Sequence, residues 1–183
     1  MKTKTLPLRN LISCAPCRLA LLLIPAALAC FALSPAARAV CQEGCLTNQN
    51  TVLGDDALLN NTGPNNTAVG FDALFSNTTG HENTAVGSRA LSNNTTGQLN
   101  TAVGEGTLTN DSSGLFNTAI GGAALFSNQT GSANVAVGTF ALFNNTSSFN
   151  TAIGDFALSQ NTTGFDNTAT GREGARKQHY RWQ

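Results

Sequence analysis

Apolar and polar positions recur along residues 50–171 with a period of 16 or 17 residues. The repeated phrase is N-T-A-V-G-x-x-A-L-x-x-N-T-T-G-x-x, and five of its seven spacings are 17 residues long. Self-similarity at this period is typical of solenoids, in which each repeat forms one coil and stacks on its neighbours. The eight copies begin at Asn50, Asn66, Asn83, Asn100, Asn117, Asn134, Asn150 and Asn167.

Two positions of the phrase hardly vary within the chain. The fifth position is Gly in all eight copies, which indicates a backbone conformation or a close approach that a side chain would disfavour. These turn glycines are Gly54, Gly70, Gly87, Gly104, Gly121, Gly138, Gly154 and Gly171. The ninth position is Leu in seven copies, and we expect these side chains to form the structural core. They are Leu58, Leu74, Leu91, Leu108, Leu125, Leu142 and Leu158.

The composition of the phrase excludes a helical solenoid and favours short strands. Asn, Thr and Gly are poor helix formers, and Asn-Thr-Thr-Gly is typical of turns. We therefore predict two short strands per unit, one at T-A-V and one at A-L, with Gly turns between them. Stacked coils would pair strand to strand about 4.8 Å apart. Residues 50–171 should then form an all-β parallel β-roll, or β-solenoid, about 30 Å tall.

Stacking places identical residues above one another, which predicts both the interior and the surface. The Leu column becomes the core, and the Asn columns run as hydrogen-bonded ladders. Adjacent strand residues face opposite sides, so one residue of Ala-Val fills the interior and the other faces outward, and the same is expected of Ala-Leu. An outward apolar column favours a homo-oligomer. The alternative is a monomeric solenoid with exposed aliphatic side chains.

Residues 1–39 have the three-part layout of a secretory signal peptide. A basic start is followed by an apolar run over 19–33, and small residues stand at Ala37 and Ala39, after which we expect cleavage. The apolar run is shorter than the roughly 20 residues of a membrane span. We therefore expect an exported protein, located at the cell surface or outside the cell, with the periplasm as an alternative. Lipoprotein processing before Cys30 is the alternative cleavage.

A short linker, residues 40–49, precedes the repeats and holds Cys41 and Cys45. In an oxidising compartment these thiols can form a disulfide with each other or with neighbouring chains, and both pairings stay open. Without the leader the chain has five basic and ten acidic residues, and Arg89 is the single base within 50–170. This charge excludes a nucleic-acid partner, because phosphate contacts require Lys and Arg.

Residues 172–183 depart from the phrase. After the Asn-Thr-Ala-Thr-Gly of the eighth copy, the expected Ala-Leu and Asn-Thr-Thr-Gly are missing, and the chain ends in Gln-His-Tyr-Arg-Trp-Gln. One set of codons for this ending reads Asn-Thr-Thr-Gly-Gly when shifted by one base, which restores the turn at its register. We therefore expect a frameshifted or disordered tail. The alternative is a genuine basic tail, and the nucleotide sequence decides between them.

The repeats lack the residue arrangements that catalysis or metal binding requires. His81 lies at a variable turn position and has too few partners for a zinc tetrad. Ser residues lack a base partner, and the side chains of adjacent Asp55 and Asp56 point apart in a strand. We expect no catalytic residue, no cofactor, no metal site and no enzyme activity. The N-x-S/T triplets are interpreted as turn and ladder residues; they include Asn77, Asn94, Asn145 and Asn161.

The unit NTAVGSRALSNNTTGQL, residues 83–99, resembles the head repeat of YadA-like trimeric autotransporter adhesins, and the likeness extends over residues 50–171. The resemblance implies a left-handed parallel β-roll, assembly of three rolls into a homo-trimer, and an outer-membrane adhesin associated with cell adhesion and virulence. It transfers no catalytic residue. Members of that family continue into a coiled-coil stalk and a membrane-anchoring barrel. The ending GREGARKQHYRWQ has neither heptads nor alternating apolar residues, which implies a fragment of a longer protein.

Three functions are compatible with this sequence. We expect a non-enzymatic, secreted or cell-surface adhesive or structural module, with a host or matrix surface as its ligand. The alternative is a passive shaft segment of a fibre-like protein that ends in an intramolecular chaperone domain, because similar NTTG units occur in such proteins. The weaker alternative is an ice-binding solenoid, suggested by aligned Thr residues but lacking a regular pair of outward Thr columns.

Overall fold

The computed structural model describes residues 48–174, and in this range the chain is an all-β solenoid of about seven turns. Each repeat contributes one strand of three residues, and the eight strands form one parallel sheet in chain order. The strands are β1 (Thr51–Leu53), β2 (Thr67–Val69), β3 (Thr84–Val86), β4 (Thr101–Val103), β5 (Thr118–Ile120), β6 (Val135–Val137), β7 (Thr151–Ile153) and β8 (Thr168–Thr170). The prediction of a stacked, all-β fold is confirmed, and no helix occurs in the described range.

The strands pair in register, so that like residues lie on like residues. Ala85 of β3 pairs with Ala102 of β4, and the Thr and Val on either side pair in the same way. The two 16-residue repeats keep this register, between β1 and β2 and between β6 and β7. The one-residue deletion in these two repeats is therefore accommodated in the Asn-Thr-Thr-Gly turn, and the sheet is unchanged.

The predicted second strand at A-L is wrong, because this segment is a turn in every coil. All seven Leu residues of the ninth position have φ between 49° and 53°, in the left-handed region. Hydrogen bonds from coil to coil continue through the turn, as where Leu91 N–H donates to Thr107 O at 3.0 Å. A left-handed Leu costs about 1–2 kcal/mol, whereas burying its side chain stabilises by roughly 1.5–3 kcal/mol. Packing therefore outweighs the local backbone preference.

The left-handed turn brings both members of the Ala-Leu pair into the interior. Six of the seven Leu residues have no exposed surface, and Leu58 in the first coil has little. The expectation that one of Ala and Leu faces outward is therefore wrong. Thr107 replaces Ala in one coil and is also fully buried, and its hydroxyl donates to Gly121 O at 2.9 Å, which satisfies it.

The turn glycines allow successive coils to approach closely where each strand ends. Gly87 has φ of 133°, and a Cβ built on it would lie 2.5 Å from Gly104 O. No side chain is accommodated at that distance without displacing the backbone of the next coil. The column of turn glycines therefore fixes the sharp bend between the strand and the Ala-Leu turn.

Candidate functional site

The first position of the phrase forms a buried, hydrogen-bonded column along the solenoid. Asn83 illustrates it: its backbone N–H donates to Asn66 Oδ1 at 3.0 Å, and its Nδ2 donates to Gly97 O at 2.8 Å. Each Asn thus ties its repeat to the preceding one and closes its own coil. The ladder joins side chain to backbone in every coil, and from Asn134 onward side chains also bond to one another, as where Asn134 Nδ2 donates to Asn117 Oδ1 at 3.1 Å. Six of its members are Asn66, Asn83, Asn100, Asn117, Asn134 and Asn150.

The twelfth position forms a second buried column, in which side chains bond to one another. Asn77 Nδ2 donates to Asn61 Oδ1 at 2.6 Å, and Asn94 Nδ2 donates to Asn77 Oδ1 at 2.7 Å. Buried polar groups of this kind require partners, and stacking supplies them from coil to coil. The asparagines of the N-x-S/T triplets singled out in the sequence all lie in this column and are buried; they are Asn77, Asn94, Asn145 and Asn161.

The outward side of the sheet is a continuous, uncharged surface that we call the strand wall. In β2 to β8 the middle Ala points inward, and the residues on either side of it face outward, which confirms the prediction for Ala and Val. Ile120 and Ile153 are 41 % and 44 % exposed. The wall consists of a first column of Thr51, Thr67, Thr84, Thr101, Thr118, Val135, Thr151 and Thr168, and a second of Leu53, Val69, Val86, Val103, Ile120, Val137, Ile153 and Thr170.

A second apolar row lies at the turn immediately before the strands, and we call it the corner row. It consists of Leu99, Phe116 and Phe149, of which the two Phe side chains are 59 % and 61 % exposed. All three residues have left-handed φ, from 57° to 61°. The consensus leaves their position variable, so sequence reasoning missed them. The signal that identifies them is the recurrence of a large apolar residue at the last place of the phrase.

Aromatic side chains also cluster in the turns that follow the turn glycines. Phe126 and Phe143 stack with ring centroids 5.3 Å apart, and Phe140 meets Phe143 edge to face at 5.3 Å. An open depression lies beside them, lined in part by Gly106 and Ala123. These two small residues occupy, in two successive coils, the place in the phrase that Phe140 holds in the third. The result is an aromatic surface with shallow relief.

Within residues 48–174, Asp111 is the acidic residue that the fold buries completely. Burial raises the pKa of Asp111 to about 7, and hydrogen bonds from Gly114 N–H and Asn128 Nδ2 oppose that shift. Asp55 and Asp56 are exposed. The strand wall contains no titratable side chain, so its contacts depend on apolar and hydroxyl groups alone.

The other expectations from the sequence concern metal binding, membrane insertion and the two ends of the chain. In the part of the chain that the structure describes, no three His, Cys, Asp or Glu side chains come close enough to hold a metal ion. No helix of residues 48–174 has the length and apolar character to span a membrane. The segment 1–39, Cys41, Cys45 and the tail beyond Gly174 lie outside the described residues. A scan against protein-family models, a search of curated proteins and a search of solved structures each found no match to this chain.

Proposed function

We propose that this chain is an exported, non-enzymatic structural and adhesive module of the cell surface, built from a solenoid that associates with copies of itself. The observation that carries the proposal is the strand wall, which is uncharged and runs along all eight strands. At about 4.8 Å per strand, the wall is about 34 Å long. The second column of the wall is Leu, Val or Ile in seven of its eight strands, and soluble monomers rarely leave so long an apolar column uncovered, whereas subunit interfaces use such surfaces.

The geometry of the wall favours a second copy of the same chain as its partner. Parallel sheets are ordinarily covered on both faces, and the coil interior covers only one face of this sheet. Because like residues repeat at a single spacing, two walls match rung for rung when solenoids lie side by side. A closed ring buries the same wall in every subunit. The resemblance to YadA-like heads implies three subunits, so the proposed assembly is a homo-trimer.

The surfaces that remain outside such a trimer form the proposed adhesive part. The cluster of Phe126, Phe140 and Phe143 and the Thr-rich turns offer several weak contacts in each chain. Three chains held together raise the avidity of such contacts without a deep pocket. A host-cell or matrix surface is therefore the proposed class of ligand.

Sedimentation equilibrium of the full exported chain tests the role of the strand wall. We expect the wild type to be a trimer and Ile120→Lys/Ile153→Lys to be a monomer, because a charge buried in an apolar interface without a partner is strongly unfavourable. The matched control is Gln129→Lys/Gln160→Lys, which adds the same charges to the same two repeats at exposed positions outside the wall. A monomeric wild type, or a wall variant that stays trimeric, would contradict the proposal.

Binding to cultured epithelial cells and to a panel of immobilised matrix proteins separates adhesion from a passive shaft. We expect saturable binding by the wild-type trimer and several-fold weaker binding by Phe126→Ser/Phe143→Ser, because that change removes the aromatic surface. Phe71→Ser, an exposed Phe in another coil, is the control. Trimers that bind no surface in the panel would support the shaft alternative instead.

The ice-binding alternative depends on two outward Thr columns. The strand wall has one Thr column, because its second column is Leu, Val or Ile in the first seven strands. The alignment of Thr in the sheet therefore favours the structural and adhesive proposal over ice binding.

A further inference from the structure

Asp111 occupies a place that Asn holds in the rest of the second buried column. The corresponding residues of the coils on either side are Asn94 and Asn128, and Asp111 itself has no exposed surface. An ionised carboxylate accepts hydrogen bonds but donates none, whereas the Asn amide does both. If it is ionised, Asp111 therefore interrupts the chain of donors along the column.

Two buried oxygen atoms lack a donor at this point. Asp111 Oδ1 accepts from Gly114 N–H at 2.9 Å and from Asn128 Nδ2 at 3.2 Å. Asp111 Oδ2 and Asn94 Oδ1 have no hydrogen-bond partner. One coil earlier, the equivalent contact joins the Nδ2 of Asn94 to its neighbour at 2.7 Å. Gly114 O, the carbonyl on the same turn, already accepts from Asn100 Nδ2 at 2.8 Å. Asn94 Oδ1 is thus the acceptor that needs a proton.

We propose that Asp111 is a neutral carboxylic acid in the folded protein and that its Oδ2–H donates to Asn94 Oδ1. A protonated carboxyl group has nearly the shape of the Asn amide and presents a donor and an acceptor in the same places. One proton then satisfies both unpartnered oxygens and completes the column. The stability of the central coils becomes sensitive to pH, a property that does not depend on the proposed adhesive function.

The surroundings contain no charged group that could take the place of this proton. The three stacked repeats over residues 83–133 contain Arg89, Glu105 and Asp111 as their ionisable residues. Arg89 and Glu105 are exposed and follow the turn glycines, at another part of the coil. The side chains that stack on Asp111 from the neighbouring coils are the neutral Asn94 and Asn128. Burial among these groups accords with the raised pKa of Asp111.

The direction of the pH dependence follows from the raised pKa. Between the ordinary value of 3.8 and about 7, the folded protein keeps a proton on Asp111 that the unfolded chain has lost. Stability therefore falls as the pH rises through this window, by about tenfold in the folding equilibrium constant per pH unit. Below the window the contribution of the acid is complete. Above it, the carboxylate leaves both oxygens unpartnered.

Asn128 Oδ1 also lacks a donor, but its cause is different. The repeat that follows is one of the two short ones, and there Asn145 Nδ2 donates to Ser147 O at 2.8 Å within its own turn. Because this repeat is one residue shorter, the Nδ2 of Asn145 bonds within its own turn and not to Asn128 Oδ1. A proton on Asp111 leaves that contact unchanged, so the two interruptions of the column are independent.

Urea denaturation of the full chain, followed by circular dichroism from about pH 4 to about pH 8.5, tests the proposal. We expect the wild-type midpoint to fall with rising pH. Asp111→Asn supplies an amide donor and should be more stable than the wild type at the alkaline end and much less sensitive to pH. Glu105→Gln removes an exposed carboxylate from the same coil and should follow the wild type. Parallel curves for the wild type and Asp111→Asn would overturn the proposal.

Carbon-13 NMR of the Asp side-chain carboxyl carbons gives a direct second measurement. We expect one resonance, absent from Asp111→Asn, to titrate near neutral pH. A midpoint below about pH 5 for that resonance would show an ionised carboxylate. A bound water molecule or cation would then supply the missing partner, and the proposal would fail.

Discussion

Gly121 and Gly122 are adjacent in the sequence but occupy different environments. Gly121 has φ of 124°, and a Cβ on it would lie 2.6 Å from Gly138 C, whereas a Cβ on Gly122 would meet only Thr139 Cγ2, at 3.8 Å. The first position requires glycine and the second tolerates a side chain. Recurrence at the fifth place of the phrase distinguishes the two, so the sequence predicts which of them matters, and the structure supplies the contact that explains it.

Alanine substitution of these two residues should give opposite results. We expect Gly121→Ala to lower the free energy of unfolding by about 3 kcal/mol or more, because a left-handed alanine is strained and its Cβ displaces the next coil. Gly122→Ala should raise the same free energy by about 0.4–1 kcal/mol, because it restricts the unfolded chain at a compatible site. Thermal or urea unfolding measures both values. Equal effects would show that the close approach of the coils does not limit stability.

A single coil is held in place by its neighbours more than by its own contacts. Within a repeat the sheet contributes only three residues, and the Ala-Leu turn is left-handed, so an isolated unit has little regular structure. Stacking supplies the partners: strand to strand, Leu on Leu, and Asn to the next Asn. The buried Asn columns therefore stabilise the element by satisfying backbone groups that would otherwise be buried without partners.

Removal of one Asn from the first column tests this account. In Asn100→Ala, the N–H of Asn117 loses its acceptor and Gly114 O loses its donor. Two buried polar groups without partners should lower the free energy of unfolding by about 2–5 kcal/mol. The control is Asn93→Ala, an exposed Asn whose Nδ2 bonds to Asn110 Oδ1 on the surface, and its effect should be within about 0.5 kcal/mol. Similar values for the two variants in urea unfolding would contradict a stabilising column.

At the largest scale that the structure describes, residues 48–174 form a stack of coils with one face of its sheet exposed. The sheet extends along the full described range, and the strand wall extends with it, so any association through the wall scales with the number of coils. The trimer tested with Ile120→Lys/Ile153→Lys is a prediction at this scale. The pH dependence tested at Asp111 also belongs to this scale. A hydrogen-bonded column that is interrupted in one coil weakens the packing between the coils on either side of it. The left-handed sense of the roll stays a prediction.

A 16- or 17-residue phrase is sufficient to predict the coil, the parallel stacking of the strands, and that one residue of Ala-Val faces inward and the other outward; the structure shows that Ala is the inward one. Each of these predictions follows from the repeat period of the sequence. Stacking repeats one local pattern, so contacts between distant residues are not needed to predict it. Export, a disulfide at Cys41 and Cys45, and a frameshifted tail stay predictions. They concern residues outside 48–174 and depend on sequence evidence alone.

The tertiary structure decided what the phrase leaves open. The A-L segment is a turn and not a strand, because a left-handed Leu is accepted only when burial against the neighbouring coils outweighs its local strain. The exposure of the corner row is also a result of the fold, since Leu99, Phe116 and Phe149 lie in a left-handed turn with their side chains partly in solvent. Asp111 became a candidate acid only when stacking set it against Asn94, 17 residues away, with no donor between them. Local preferences fix the period, but contacts between coils choose the conformation and the charge state within it.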